Sequence, residues 1–241
     1  MMFTPVTLGL ATPEQIQGVM DKFQFFYDHP KHFLEWPSFM LPFTEAAWNA
    51  GLRTFAAKVL AETADRIYAR TARRDLSYET GAVSTGLPQR FNYRIPGVAN
   101  EFWPLSIENN PNPGGCENYG WGATMPTLLI RNLIGFREDT STDAMQFILA
   151  PTLPQALLAG SKRYRGCNLH YRDATFDVDL TVRSEDSLEV TLTFKSTITN
   201  HVMILYESDQ VLREQSEVHG GTILSWVMNN GDLVKVSLNS S

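Results

Sequence analysis

The chain has 241 residues, 43% of them hydrophobic, and a formal net charge of −6. That is enough apolar material for one large domain or two modest ones, which excludes a disordered chain. The basic residues are scattered apart from Arg70, Arg73, Arg74 and Lys162, Arg163, Arg165, so no nucleic acid is expected to bind through a broad basic surface.

The opening, MMFTPVTLGLATPEQ, has no basic segment before its short apolar run, and no stretch of about eighteen apolar residues occurs anywhere. Neither a secretory leader nor a membrane partner is expected, and the expected compartment is the cytoplasm. Thr12, followed by Pro13, Glu14 and Gln15, reads as a capping box. The Thr12 hydroxyl accepts a first-turn amide, proline loses nothing at the first helical position, and Gln15 answers back. Ile16, Val19, Met20, Phe23 and Phe26 then recur at helical spacing as far as His29 and Pro30. A second helix is expected from Thr44 and Glu45 through Ile67 and Tyr68, its alanines allowing close helix contacts.

Between Asp75 and Asn118 glycine, proline and asparagine break the pattern. A loop this long is usually functional or disordered. Phe91, Tyr93, Phe102 and Trp103 argue for order, because large rings are costly to leave in water. Pro126 suits the first turn of the next helix, whose Leu128, Leu129, Leu133 and Ile134 point to a core before Gly135 ends it.

From about Met145 the period becomes two. FDVDLTV puts Phe176, Val178, Leu180 and Val182 on one face, and LEVTLTF does the same with Leu188, Val190, Leu192 and Phe194. HVMILYE, GTILSWV and DLVKVSL are strand-like too, with turns at Arg183–Ser187 and Asn229–Asp232. The expected fold class is therefore α+β. Residues 1–146 form a helical portion with an irregular loop over 75–118, and residues 147–241 form an antiparallel β-sheet or small β-sandwich. Residues 147–160, with two prolines and a short LPQALLA helix, serve as a packed connector.

No Walker loop, GxGxxG, HExxH or GxSxG occurs, and His29, His32, His170, His201 and His219 have no regular metal-ligand spacing. Neither a cofactor nor a metal is expected. Cys116 and Cys167 have no CxxC partner and read as reduced thiols, with one disulfide left open.

Acidic and aromatic residues concentrate in the irregular middle: Glu101, Phe102, Trp103, Glu108, Glu117, Tyr119 and Trp121. Sugars suit such a set, because their C–H faces stack on rings while carboxylates accept hydroxyl hydrogens. Glycoside hydrolysis needs two carboxyl groups, about 6.5–9.5 Å apart for inversion or about 5–5.5 Å apart for retention. A solvated acidic loop over a core aromatic cluster accounts for the same composition.

FTPVTLGLATPEQIQGVM, PFTEAAWNAGLRTFAAKVLAETADRIYAR, ENYGWGATMPTLLIRNLIGF and LAPTLP follow one another in this order. In that order they resemble the last part of six-hairpin glycosidases, the trehalase and processing-glucosidase-like enzymes, among which mannosylglycerate hydrolases also fall. The likeness covers about residues 1–185, and its most specific element is the Tyr-Gly-Trp segment. It implies part of an (α/α)6 barrel followed by a C-terminal β domain. The implied activity is inverting hydrolysis of an α-linked gluco- or manno-configured sugar or oligosaccharide.

In such enzymes a general-base glutamate precedes the Tyr-Gly-Trp-like segment. Glu101, nineteen residues before Gly120, falls there, although Glu-Phe-Trp replaces the usual Glu-x-Tyr. Glu117 is the second carboxylate, and Trp103, Tyr119 and Trp121 would wall the sugar subsite. Glu79, in YETG, resembles a Glu-Thr-Gly that trails the catalytic turn. The general-acid aspartate comes from an earlier region of those enzymes and has no counterpart among these residues. The resemblance thus implies a partial barrel, inactive in isolation, whose open helix faces favour self-association or a partner chain that completes it. A non-catalytic carbohydrate-binding or assembly module is the alternative, as is a helix-plus-sheet domain without a ligand.

Overall fold

The structure, a computed structural model, describes residues 4–28, 40–68, 123–139, 142, 144–160, 162–196 and 201–239. The fold is α+β, and the chain divides into two compact units, Met1–Leu128 and Leu129–Ser241.

In the first unit, helices α1 (Thr4–Thr7), α2 (Pro13–Asp28), α3 (Met40–Asn49) and α4 (Arg53–Tyr68) are described. The capping box forms as the sequence predicts: Gln15 N–H donates to Thr12 Oγ1 at 3.4 Å, and Thr12 N–H donates to Gln15 Oε1 at 2.9 Å. Val19 and Phe23 are buried, and Phe23, Phe43 and Phe55 form an aromatic trio with centroids 4.9–5.9 Å apart. That trio fastens α2 to α3 and α4. Ala46, Ala47, Ala56 and Ala57 are fully buried, the close contact that small side chains permit.

The single helix expected from Thr44 to Tyr68 is two helices. Gly51 adopts φ +75°, with its N–H on the Trp48 carbonyl at 2.9 Å, while the Leu52 N–H reaches the Ala47 carbonyl at 2.8 Å. These are the two bonds of a Schellman cap. The apolar pattern runs on through the break, which is why periodicity alone conceals it.

Near the junction of the units, α5 (Met125–Leu129) continues as a π-helical turn, Ile130–Ile134, and Gly135 ends it at φ +79°. Among the described glycines, Gly135 also has its neighbours nearest to where a side chain would start. A Cβ built there would lie 2.2 Å from the Ala150 carbonyl carbon and oxygen.

The second unit is a β-sandwich. One sheet has the order β1 (Phe136–Glu138), β2 (Gln146–Leu149), β9 (Val234–Asn239), β6 (His201–Tyr206), β7 (Val211–Gln215). The other has the order β3 (Arg163–Tyr171), β4 (Ala174–Val182), β5 (Ser187–Phe194), β8 (Ile223–Asn229). All strand pairs are antiparallel. The inward residues foreseen on β4 and β5, among them Phe176, Val178, Leu180, Leu188, Val190, Leu192 and Phe194, are fully buried. Phe147 stacks on Phe176 across the two sheets at 4.8 Å and 9°, with the Phe136 edge against both. Strand structure begins at Phe136, ahead of the visible alternation, and Phe147 belongs to β2 rather than to a connector.

The LAPTLP passage lies inside the second unit, between β2 and β3, and not between the two units. Asn230, in the β8–β9 turn, accepts from the Leu153 N–H at 2.7 Å and donates to the Leu153 carbonyl at 2.8 Å. Gly231 N–H reaches the Pro151 carbonyl at 2.8 Å. Helix α6 (Gln155–Ala159) follows at once.

Candidate functional site

Glu101, Glu117, Trp103, Tyr119 and Trp121, together with Glu79 and Glu108, lie outside the described residues, as do His29, His32 and Cys116. Within the described residues, the largest concentration of charged chemistry is the outer face of the four-stranded sheet. Alternation on β4 turns Phe176, Val178 and Leu180 to the core and therefore turns Asp177 and Asp179 outward. Neighbouring long side chains cover both carboxylates, and each keeps less than a tenth of its surface.

Asp177 receives three donors. Arg165 Nη2 lies 2.6 Å from Oδ2, Lys195 Nζ lies 2.8 Å from Oδ1, and the Asn168 N–H donates to Oδ1 at 2.8 Å. Lys195 also donates to Asn168 Oδ1 at 2.7 Å. Asp179 takes Arg163 Nη2 at 2.8 Å and Arg165 Nε at 3.4 Å. These partners meet because the β3–β4 register slips between Gly166 and Leu169, where Asn168 takes φ +54°. An asparagine tolerates that left-handed conformation, and the bulge turns its N–H toward the carboxylate.

Burial by itself pushes the Asp177 carboxyl up, but the hydrogen bonds from Lys195, the Asn168 N–H and Arg165 outweigh it and hold the group below the usual carboxylate range. The Asp177 hydrogen bond, followed by the nearby Asp179 charge, raises Arg165 above its ordinary value. A general acid in glycoside hydrolysis needs the opposite shift. Asp177 is thus a fixed anion that positions cations. The cations themselves reach solvent, with side-chain exposures of 65% for Arg163, 46% for Arg165 and 40% for Lys195. Beside them, the Thr191 and Ser225 hydroxyls share a hydrogen bond of 2.9 Å. Such a surface can hydrogen-bond hydroxyl or carboxylate oxygens.

The sequence carries a signal for this face that motif searching passes over. Arg163 and Arg165 stand two apart on β3, and Asp177 and Asp179 stand two apart on β4, so an antiparallel hairpin sets one pair beside the other. Elsewhere, His201 Nε2 lies 2.8 Å from Glu214 Oε1 without a well-directed hydrogen bond, and the buried Trp226 indole N–H has no acceptor among the described residues. Arg137, buried, donates to Asn132 Oδ1 at 2.9 Å and to the Arg131 carbonyl at 3.2 Å, bracing the π-helical turn against β1. Among the described residues no group of three His, Cys, Asp or Glu side chains could hold a metal ion, Cys167 is a free exposed thiol, and no helix is long and apolar enough to cross a membrane.

Comparison with protein-family models, with curated proteins and with solved structures finds no match to this chain.

Proposed function

We propose that this chain is the C-terminal part of a six-hairpin glycoside hydrolase that inverts an α-linked gluco- or manno-configured substrate. Glu101 is the general base that deprotonates water, an aspartate from another part of the enzyme protonates the leaving oxygen, and Glu117 hydrogen-bonds the sugar. Trp103, Tyr119 and Trp121 wall the subsite.

The observation that supports this reading is the order of elements. Helices come first, α3 and α4 joined by a tight cap; then an apolar helix closes at Gly135, and the described strands of the β-sandwich follow it, with the clamped LAPTLP passage between β2 and β3. This is the order that the resemblance to the family implies. Leu8, Leu10, Phe25 and Leu41 of the helical unit are exposed, at 42–74%. Phe25 and Leu41 lie on helices, with Leu8 and Leu10 in the turn after α1, and such apolar surface fits a barrel wall that further helices would cover.

A second reading, a carbohydrate-binding module without catalysis, draws on the donor-rich face around Asp177, whose low pKa suits positioning and not proton transfer. The two readings separate in one experiment. Gluco- and manno-configured α-linked oligosaccharides are titrated calorimetrically into the chain, alone and extended by its upstream coding sequence, and hydrolysis is followed by proton NMR. Catalysis requires turnover in the extended protein; a binding module gives saturable heats and no turnover in either. Absence of both heats and turnover contradicts both.

A further inference from the structure

We infer that β8 is a self-pairing edge, through which two copies of this chain join their four-stranded sheets into one continuous sheet. An edge strand is a template for another strand unless something guards it, and the usual guards are charge, proline, a bulge or shortness. Among the described residues the sandwich has four edge strands, β1, β3, β7 and β8. Three of them are guarded. β1 has three residues and carries Arg137 and Glu138; β3 carries Arg163 and Arg165 and is bulged; β7 carries Arg213 and Glu214 and faces a register slip in β6.

β8, Ile-Leu-Ser-Trp-Val-Met-Asn, has seven residues in unbroken register with β5 and holds no charge, proline or glycine. Its outward side chains include Ile223 and Val227, exposed at 62% and 57%, with Ser225 between them. These are among the most exposed large apolar side chains of the sandwich.

Backbone parity fixes how a second copy would fit. The Thr222 carbonyl accepts from Phe194 N–H, and Asn230 N–H reaches the Asp186 carbonyl, so even-numbered positions along β8 bond toward β5. In an antiparallel ladder the alternate positions then turn their N–H and C=O groups the other way. Those positions are Ile223, Ser225 and Val227, and the Asn229 N–H that follows them is already taken by Asp232 Oδ2 at 3.3 Å. Two-fold antiparallel pairing centred on Ser225 puts Ser225 opposite itself and Ile223 opposite Val227 of the second copy, twice over. All three are positions whose backbone groups face the open edge, so each pair exchanges both of its hydrogen bonds. On the outer face the same register sets apolar against apolar and hydroxyl against hydroxyl, with no like charges opposed, which satisfies the cross-strand rules at every position. A strand complementary to itself about its own midpoint fits a second copy of this chain, because a two-fold interface uses one patch twice.

The test is sedimentation velocity on the full chain and on two variants, Ser225→Lys and Val227→Lys, over about 1–100 µM, with circular dichroism to check the fold. Both positions face outward, so the fold should persist. Dimer for the parent and monomer for both variants is the expected result. The Ser225→Lys chain mixed with a Ser225→Glu chain should restore a dimer, because lysine then faces glutamate across the two-fold. A monomeric parent overturns the proposal. So does a parent oligomer that both lysine variants retain, since association then runs through another surface, such as the exposed helical side chains. Should circular dichroism show the variants unfolded, hydrogen exchange on the parent decides: protection of the Ile223, Ser225 and Val227 amides that rises with concentration over the same range is expected, and amides that stay unprotected throughout overturn the proposal.

Discussion

Lys195, just past the end of β5, places its Nζ 2.8 Å from Asp177 on β4 and 2.7 Å from Asn168 on β3. One ammonium thus ties the end of β5 to both β4 and the bulged part of β3. The carboxylate beneath it is almost wholly buried, which makes its charge costly unless every donor stays in place.

Asp177→Asn should therefore destabilise the sandwich by roughly 1–3 kcal/mol near neutral pH, since the amide keeps the shape but presents donors toward Arg165 and Lys195. The sign of the pH dependence follows from the lowered carboxyl pKa. Its contribution is fully present above the unfolded value of about 3.9 and is lost as pH falls through the lower folded value. Urea unfolding of parent and variant should give a constant difference from about pH 7 to 5 that shrinks below about pH 4. A difference that grows on acidification would contradict the assignment.

Gly135→Ala should cost about 3 kcal/mol or more, because it adds left-handed strain to an overlap with the Ala150 backbone. Gly51→Ala is the control: φ is also positive, but none of the described residues lies within 4 Å of the added carbon, so strain alone predicts about 1 kcal/mol. Equal losses in denaturant unfolding would show that the close approach at Gly135 carries no weight.

Asn230→Ala removes both side-chain bonds to Leu153 and should release the LAPTLP passage locally, at about 1–3 kcal/mol. Hydrogen exchange at the Leu153 amide is the direct reading. Faster exchange there, with β4 and β5 amides unchanged, is expected; unchanged protection at Leu153 would mean that the turn does not hold the passage.

How much of this was legible in the chain depends on how local each cause is. Thr12 and Gln15 find each other three residues apart, and the alternation of β4 and β5 records a one-sided core, so both can be read directly. The Gly51 cap interrupts a helical pattern without disturbing its apolar residues. β3 hides its alternation behind a bulge, and β1 is too short to show any period. The Asp177 network depends on Arg165 and Asn168, on either side of the slip in β3, meeting Lys195 from beyond β5, and only the paired spacing of Arg163 with Arg165 and Asp177 with Asp179 foreshadows it. The acidic and aromatic residues at 101–121 rest on composition and on family resemblance, which give residue types and order but no distances.

The base assignment to Glu101 is the centre of the functional account. The decisive measurement is turnover of an α-linked gluco- or manno-configured substrate by the upstream-extended protein, comparing the parent with Glu101→Gln while following the anomeric proton by NMR. The account predicts that the parent releases the β-anomer first, and that Glu101→Gln loses about 10²–10⁴-fold in rate while still binding the sugar. Near-parent turnover in Glu101→Gln, or first release of the α-anomer, would contradict it.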